Sequence, residues 1–112
     1  MGGRIQVAPR EERTRDGIVI DSKHEMQQYT YLRALERSAT IRGLRTQVKY
    51  PLCAVDERGE KKQVSSYIAD FVCEDRDGKT VVYDAKGHRT EMYKLKRKWF
   101  EWQYAPLRIV EL

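Results

Sequence analysis

Three residues have the types and spacing for hydrolytic chemistry: Asp70, Asp84 and Lys86. Asp70 lies in the run Tyr67-Ile68-Ala69-Asp70-Phe71, and the other two lie in Tyr83-Asp84-Ala85-Lys86-Gly87. Alternate residues of a strand share a face, so Lys86 stands on the same side as Asp84. Carboxylates are hard oxygen donors, and two placed directly opposite one another repel unless a cation lies between them. If Asp70 and Asp84 meet, the pattern suits a hard divalent metal. Lys86 is then placed to orient, or help deprotonate, a water attacking beside it.

Whether they meet depends on a hairpin. Gln63–Glu74 and Lys79–Lys86 are rich in Val, Ile, Tyr and Phe and read as strands on either side of Arg76-Asp77-Gly78. A two-residue loop pairs Arg76 with Lys79 and puts Asp70 opposite Ala85, so that the sheet separates the two acids. A three-residue loop with Gly78 in the left-handed conformation pairs Asp75 with Lys79 and sets Asp70 opposite Asp84. The second register also gathers Tyr67, Ala69, Phe71, Cys73, Val81, Tyr83 and Ala85 on one core face, and leaves Ile68, Asp70, Val72, Val82, Asp84 and Lys86 on the other.

The remaining elements decide what surrounds that second face. Ser22-Lys23-His24-Glu25 fits a capping box, so a helix is expected from Ser22, running on through Tyr29, Leu32 and Glu36 and ending near Gly43. Glu25 is in line with this helix's apolar stripe and points into the same cleft if the helix covers the acids; the capping box alone also accounts for it. Gln47–Val55 reads as a first strand, with Pro51 marking an edge or a bulge. Thr90 caps a second helix on which Met92, Leu95, Trp99 and Trp102 recur as an apolar stripe; the two tryptophans read as core or dimer contacts, with base stacking as the lesser reading. Pro106 stops it, and Leu107–Leu112 makes a last short strand. The order is αβββαβ in one α/β domain over residues 17–112, with residues 1–16 as a polar, basic, flexible arm.

With 22 Lys and Arg against 17 Asp and Glu, the net charge of +5 favours a polyanionic partner. Arg89, Lys94, Lys96, Arg97 and Lys98 supply phosphate contacts if the second helix stands beside the acids; a solvated helix face is the plainer reading of such a run. His24, His88, Cys53 and Cys73 lack the paired spacings of a zinc site, and the two cysteines suggest free thiols. No apolar run approaches the roughly 20 residues that cross a bilayer, so no membrane partner and a cytoplasmic location are expected.

These residues resemble the PD-(D/E)XK nuclease superfamily, whose signature is an acid on one strand and acid-x-lysine on the next. The order αβββαβ is also that superfamily's core, a mixed sheet flanked by helices. Asp21-Ser22-Lys23-His24-Glu25, Gln47, Tyr67–Phe71, Asp84-Ala85-Lys86-Gly87 and Thr90 further resemble a family of small phage and prophage proteins placed in it. Ala69 stands in place of the signature proline. The likeness implies that Asp70, Asp84 and the Ala85 carbonyl bind Mg2+ or Mn2+, that Lys86 acts on the water, and that Glu25 assists. In many members a glutamine or tyrosine on the second helix completes the site; here that helix offers Tyr93, Lys94, Arg97 and Lys98.

The expected activity is therefore magnesium-dependent DNA endonuclease, needing no small-molecule cofactor beyond the metal. A chain of 112 residues has little surface for grasping two strands, which argues for a homodimer. Two other readings stay open: a DNA-binding or assembly protein that keeps the fold without cutting, and an enzyme acting on RNA.

Overall fold

The computed structural model describes residues 23–85 and 89–112 in full, with the backbone of Thr14–Arg15 and Ile18–Val19. Those two dipeptides, β1 (Thr14–Arg15) and β2 (Ile18–Val19), pair antiparallel, so pairing begins inside the stretch read as an arm. Helix α1 (Lys23–Arg37) starts where the capping signal puts it, while Ser22 lies outside the described residues. Its end comes earlier than expected. Ala39 adopts a left-handed φ of 62°, and the Thr40 N–H donates to the Leu35 carbonyl at 2.9 Å, closing the helix before Gly43. Gly43, taken from sequence as the stop, instead sits with φ 63° at a register shift in the following strand.

That strand, β3 (Arg42–Val55), therefore begins five residues before Gln47. It pairs antiparallel with β4 (Lys61–Glu74), which pairs antiparallel with β5 (Thr80–Asp84). Helix α2 (Glu91–Gln103) is capped by the Thr90 hydroxyl, which accepts from the Tyr93 N–H at 3.0 Å. It carries the chain to β6 (Ile109–Glu111), parallel to β5. The sheet is mixed, in the order β3-β4-β5-β6, with two helices: an α/β fold whose main elements follow the order αβββαβ. No helix among the described residues is long and apolar enough to cross a membrane.

The β4–β5 hairpin has the three-residue loop. Asp75 donates its N–H to the Lys79 carbonyl at 2.9 Å, Gly78 takes φ 78°, and Phe71 pairs with Tyr83. A side chain of Asp75 holds the loop by accepting from the N–H groups of Asp77 and Lys79.

The expected division into one core face and one site face needs correction. Both faces of the sheet are covered. Phe71, Cys73, Val81, Tyr83 and Ala85 pack with Met26, Tyr29 and Leu32 of α1. Tyr67 and Ala69, expected beside them, pack instead with Val72, Val82 and Phe100 of α2. The alternation of β4 thus slips between Ala69 and Phe71, at Asp70. At the same level on the neighbouring strand, Gln47 has a left-handed φ of 53°, with Thr46 paired to Phe71 and Val48 to Ala69 on either side of it.

Phe100 is fully buried and its ring lies 4.9 Å from that of Tyr50, 5.3 Å from Tyr67 and 5.1 Å from Tyr104. Phe100→Ala should lose about 3–5 kcal/mol in a urea unfolding titration, since the aromatic cluster around it cannot collapse into the cavity. A loss below about 1 kcal/mol would show that α2 is not anchored by this ring.

Candidate active site

Four elements converge on the slip in β4. Glu25 comes from the first turn of α1, one residue before buried Met26 and in line with buried Tyr29 and Leu32. Burying the apolar stripe therefore buries the glutamate too, and only 4 % of it is exposed. Its Oε2 accepts a hydrogen bond from Gln47 Nε2 at 3.0 Å, and the same amide nitrogen lies 3.4 Å from Asp70 Oδ1. Gln47 thus bridges an acid of the first helix to an acid of the central hairpin. Its left-handed backbone at the break in the ladder is the local device that accompanies this reach.

Asp70 and Asp84 are each 1 % exposed. With Phe71 paired to Tyr83, the next positions outward on the two strands are these two aspartates, so they stand at one level of the sheet. Asp70 Oδ2 accepts from the backbone N–H of Ala85 at 2.8 Å. Asp84 Oδ2 accepts from the Tyr67 hydroxyl at 2.7 Å. Burial, then the charge and hydrogen bond of Asp84, drive the Tyr67 hydroxyl far above the usual tyrosine range. Tyr67 is accordingly a neutral donor that orients Asp84 and takes no part as a base. Among the described residues every buried side-chain nitrogen and oxygen has a hydrogen-bond partner. Lys86, the third residue of the proposed constellation, and His88 lie outside the described residues.

The basic residues separate into two groups. Arg97 donates to the Ile109 carbonyl at 3.0 Å and pairs with Glu111 at 2.9 Å and with Glu101 at 3.3 Å; Arg89 also pairs with Glu111. Glu101 in turn accepts from the Ile109 N–H at 2.8 Å, so this network ties β6 to α2. Lys94 and Lys98 point to solvent, Lys94 beside Glu91 at 3.2 Å, and Lys96 is half-buried. A groove of about 620 Å3 runs along the network, lined by Arg89, Lys94, Arg97, Lys98 and Glu111 among others. A smaller cleft of about 270 Å3 lies between β4 and the start of α2, lined by Ser66, Tyr67, Ile68, Thr90, Met92, Tyr93 and Lys96. Tyr67, part of its wall, is the residue whose hydroxyl donates to buried Asp84.

Glu111 was not singled out from sequence, yet it collects the Tyr93 hydroxyl at 2.7 Å and both arginines. The Tyr93 hydrogen bond, then Arg89 and Arg97, hold its carboxyl below the usual range despite some burial. A depressed folded-state pKa stabilises the fold above the unfolded pKa, and that contribution fades as pH falls through the folded value. The stability advantage of the unmutated protein over Glu111→Gln should thus be full at neutral pH and shrink from about pH 5 downward. Denaturation series at several pH values check this; an advantage constant down to about pH 3 would contradict it.

A family model described as "Protein of unknown function (DUF1064)" matches residues 10–111. The chain belongs to this family. The match runs from ahead of β1 to the end of β6, so in this DUF1064 protein Glu25, Gln47, Asp70 and Asp84 all fall within the family's span. No curated protein and no solved structure matches the chain.

Gln47 and Tyr67 are the residues whose part sequence reasoning missed. Gln47 entered as the start of a strand and through the family likeness, without a role in the site, because a glutamine on a strand carries no periodic signal and its positive φ is a property of the folded chain. Tyr67 is core, as alternation placed it, but on the α2 side of the sheet, where its hydroxyl reaches Asp84; the slip at Asp70 hides that side from a reading by strict alternation.

Proposed function

We propose that this chain is a metal-dependent endonuclease of the PD-(D/E)XK kind, hydrolysing phosphodiester bonds of DNA in the cytoplasm. The observation that carries the reading is two fully buried carboxylates, Asp70 and Asp84, at one level of adjacent strands, with Glu25 joined to Asp70 through Gln47. Buried acids brought to one level of a sheet stabilise nothing by themselves, and their clustering is the usual mark of a cation site.

The donors fit Mg2+ or Mn2+. Among the described residues no group of three or more His, Cys, Asp and Glu could hold a metal ion. Mg2+ does not require one: it is commonly held by one or two carboxylates, with waters and phosphate oxygens completing the shell. Asp70, Asp84 and the carbonyl of Ala85 would hold it, and when bound it would supply positive charge against the developing charge on phosphorus and acidify the attacking water. Tyr67 fixes one oxygen of Asp84 and the Ala85 N–H fixes one of Asp70, so each carboxylate is oriented before substrate arrives. Gln47 holds Glu25 toward Asp70, where the glutamate can accept a proton from water. Lys86, two residues after Asp84, orients that water, and Lys94 and Lys98, exposed on α2, hold the phosphate backbone.

The test is incubation of purified protein with magnesium or manganese and a panel of linear, nicked, branched and single-stranded DNA, with matched RNA. Cleavage of DNA, absent in Asp84→Ala prepared in parallel, is the expected result. Binding of DNA without any cleavage across the panel would leave a non-cutting DNA-binding protein, and cleavage of RNA alone would change the substrate class.

A further inference from the structure

Helix α2 turns its expected stripe outward. Its buried side is built on Phe100, with Tyr93 and Tyr104 packed beside it, whereas Met92 is 59 % exposed, Leu95 54 % and Trp102 83 %. Trp99 lies at the margin, part-buried and donating its indole N–H to the Cys53 carbonyl at 3.1 Å. Met92, Leu95 and Trp102 thus form an apolar strip about 15 Å long on a helix exterior. A tryptophan left in water is a costly use of the largest apolar side chain, and it marks a binding surface.

The flanking charges choose the occupant. Lys94 and Lys98 stand exposed along one border of the strip and Lys96, half-buried, lies along the other, with Glu91 already paired to Lys94. A second copy of this helix packed parallel on the strip would set Lys96 against Lys98, and packed antiparallel it would set the lysines of each border against those of the same border, both repulsive. A polyanion with flat apolar groups meets the same surface without conflict. The strip also reaches the cleft that Tyr67 helps to wall: Met92 belongs to both, Ile68, 43 % exposed, lines the same cleft, and the Tyr67 hydroxyl holds Asp84.

We propose that the outer face of α2 is a track for an unpaired nucleic-acid strand, on which a base stacks on Trp102 while Lys94 and Lys98 hold the adjoining phosphates. Stacking requires a base whose face is open, so the track selects single strands and flaps over continuous duplex. The inference rests on the nuclease reading for its placement beside Asp84, but binding can be measured without cleavage.

The two tryptophans, Trp99 and Trp102, make the experiment direct. Protein in EDTA is titrated with a short oligothymidylate and, separately, with a duplex of equal length, following intrinsic fluorescence and, with labelled strands, anisotropy. The expected result is quenching by the oligothymidylate that is lost in Trp102→Phe, which leaves only Trp99. Trp102→Ala should weaken single-strand binding about tenfold and duplex binding less than about twofold, with Trp102→Phe keeping most of the affinity. Lys98→Ala should reduce the salt dependence of binding. Equal single-strand affinity in the unmutated protein and Trp102→Ala, or a concentration-dependent dimer in sedimentation that Trp102→Glu dissolves, would overturn the track. Cleavage with no quenching refutes this inference alone; quenching with no cleavage refutes the nuclease reading alone.

Discussion

Asp84→Asn should lose at least about a hundredfold in DNA cleavage while keeping its fold, the range seen when a group that stabilises transition-state charge is removed. The substitution is almost isosteric, and the amide keeps an oxygen that can accept from the Tyr67 hydroxyl, so packing beneath α2 is preserved. What it removes is one of the two carboxylates proposed to hold the metal. The consequence has a readout apart from catalysis. Magnesium or manganese that binds the folded protein and not the unfolded chain raises stability by mass action, by about 2.7 kcal/mol at a hundredfold excess over its dissociation constant. The melting temperature of the unmutated protein should therefore climb with metal concentration, and that of Asp84→Asn should stay flat; Asp70→Asn should behave alike. A variant that folds, cuts at the original rate and is stabilised by metal as before would remove Asp84 from the site.

Lys86→Ala should separate chemistry from binding. The residue follows Asp84 by two positions in the sequence, and its proposed work is on the attacking water. It should fold, bind magnesium and hold DNA within a few-fold of the unmutated protein, yet cut roughly a hundredfold more slowly or worse, the usual scale for a lost proton-transfer group. Lys96→Ala or Lys98→Ala should do the reverse, weakening DNA binding in a salt-dependent way at little cost to the rate when bound. Single-turnover cleavage at saturating protein, alongside binding titrations, distinguishes the two patterns. Full-rate cutting by folded Lys86→Ala would deny the lysine its role.

How much of this was legible beforehand differs from element to element for physical reasons. The hairpin register was readable because Asp75, Asp77 and Gly78 are local turn chemistry, and the left-handed Gly78 with the Asp75 side chain beneath it fixes the pairing of distant residues. The burial of Glu25 was readable because a helix carries its whole apolar stripe inward together. The end of α1 was not, since Ala39 adopts a conformation that glycine ordinarily marks, while the real glycine at position 43 serves a bulge. The facing of α2 was misread for a related reason. Met92, Leu95, Trp99 and Trp102 make one apolar stripe, and Tyr93, Arg97, Phe100 and Tyr104 make another on the opposite side. Hydropathy favours the first. The sheet buries the second, because the polar ends of Tyr93 and Arg97 find Glu111 and the Ile109 carbonyl while their bodies stay covered.

The slip at Asp70 has the same origin in side-chain detail. Strict alternation would put Asp70 on a face with Val72 and its neighbours Ala69 and Phe71 together, whereas Ala69 packs under α2 and Phe71 under α1. The strand changes sides at the residue that the sheet's geometry places level with Asp84 and within reach of Gln47. Irregular backbone at a site of clustered acids is a common companion of function.

The central claim, that the buried acids of β4 and β5 form a metal-dependent nuclease centre, is tested most directly by single-turnover cleavage of end-labelled branched and linear DNA. Protein stripped with EDTA is assayed before and after magnesium or manganese is restored, next to Asp84→Ala purified identically. The account predicts no cutting in EDTA, cutting on addition of metal, and none by Asp84→Ala under either condition. Cutting that persists in EDTA, or that Asp84→Ala performs as fast as the unmutated protein, would contradict it.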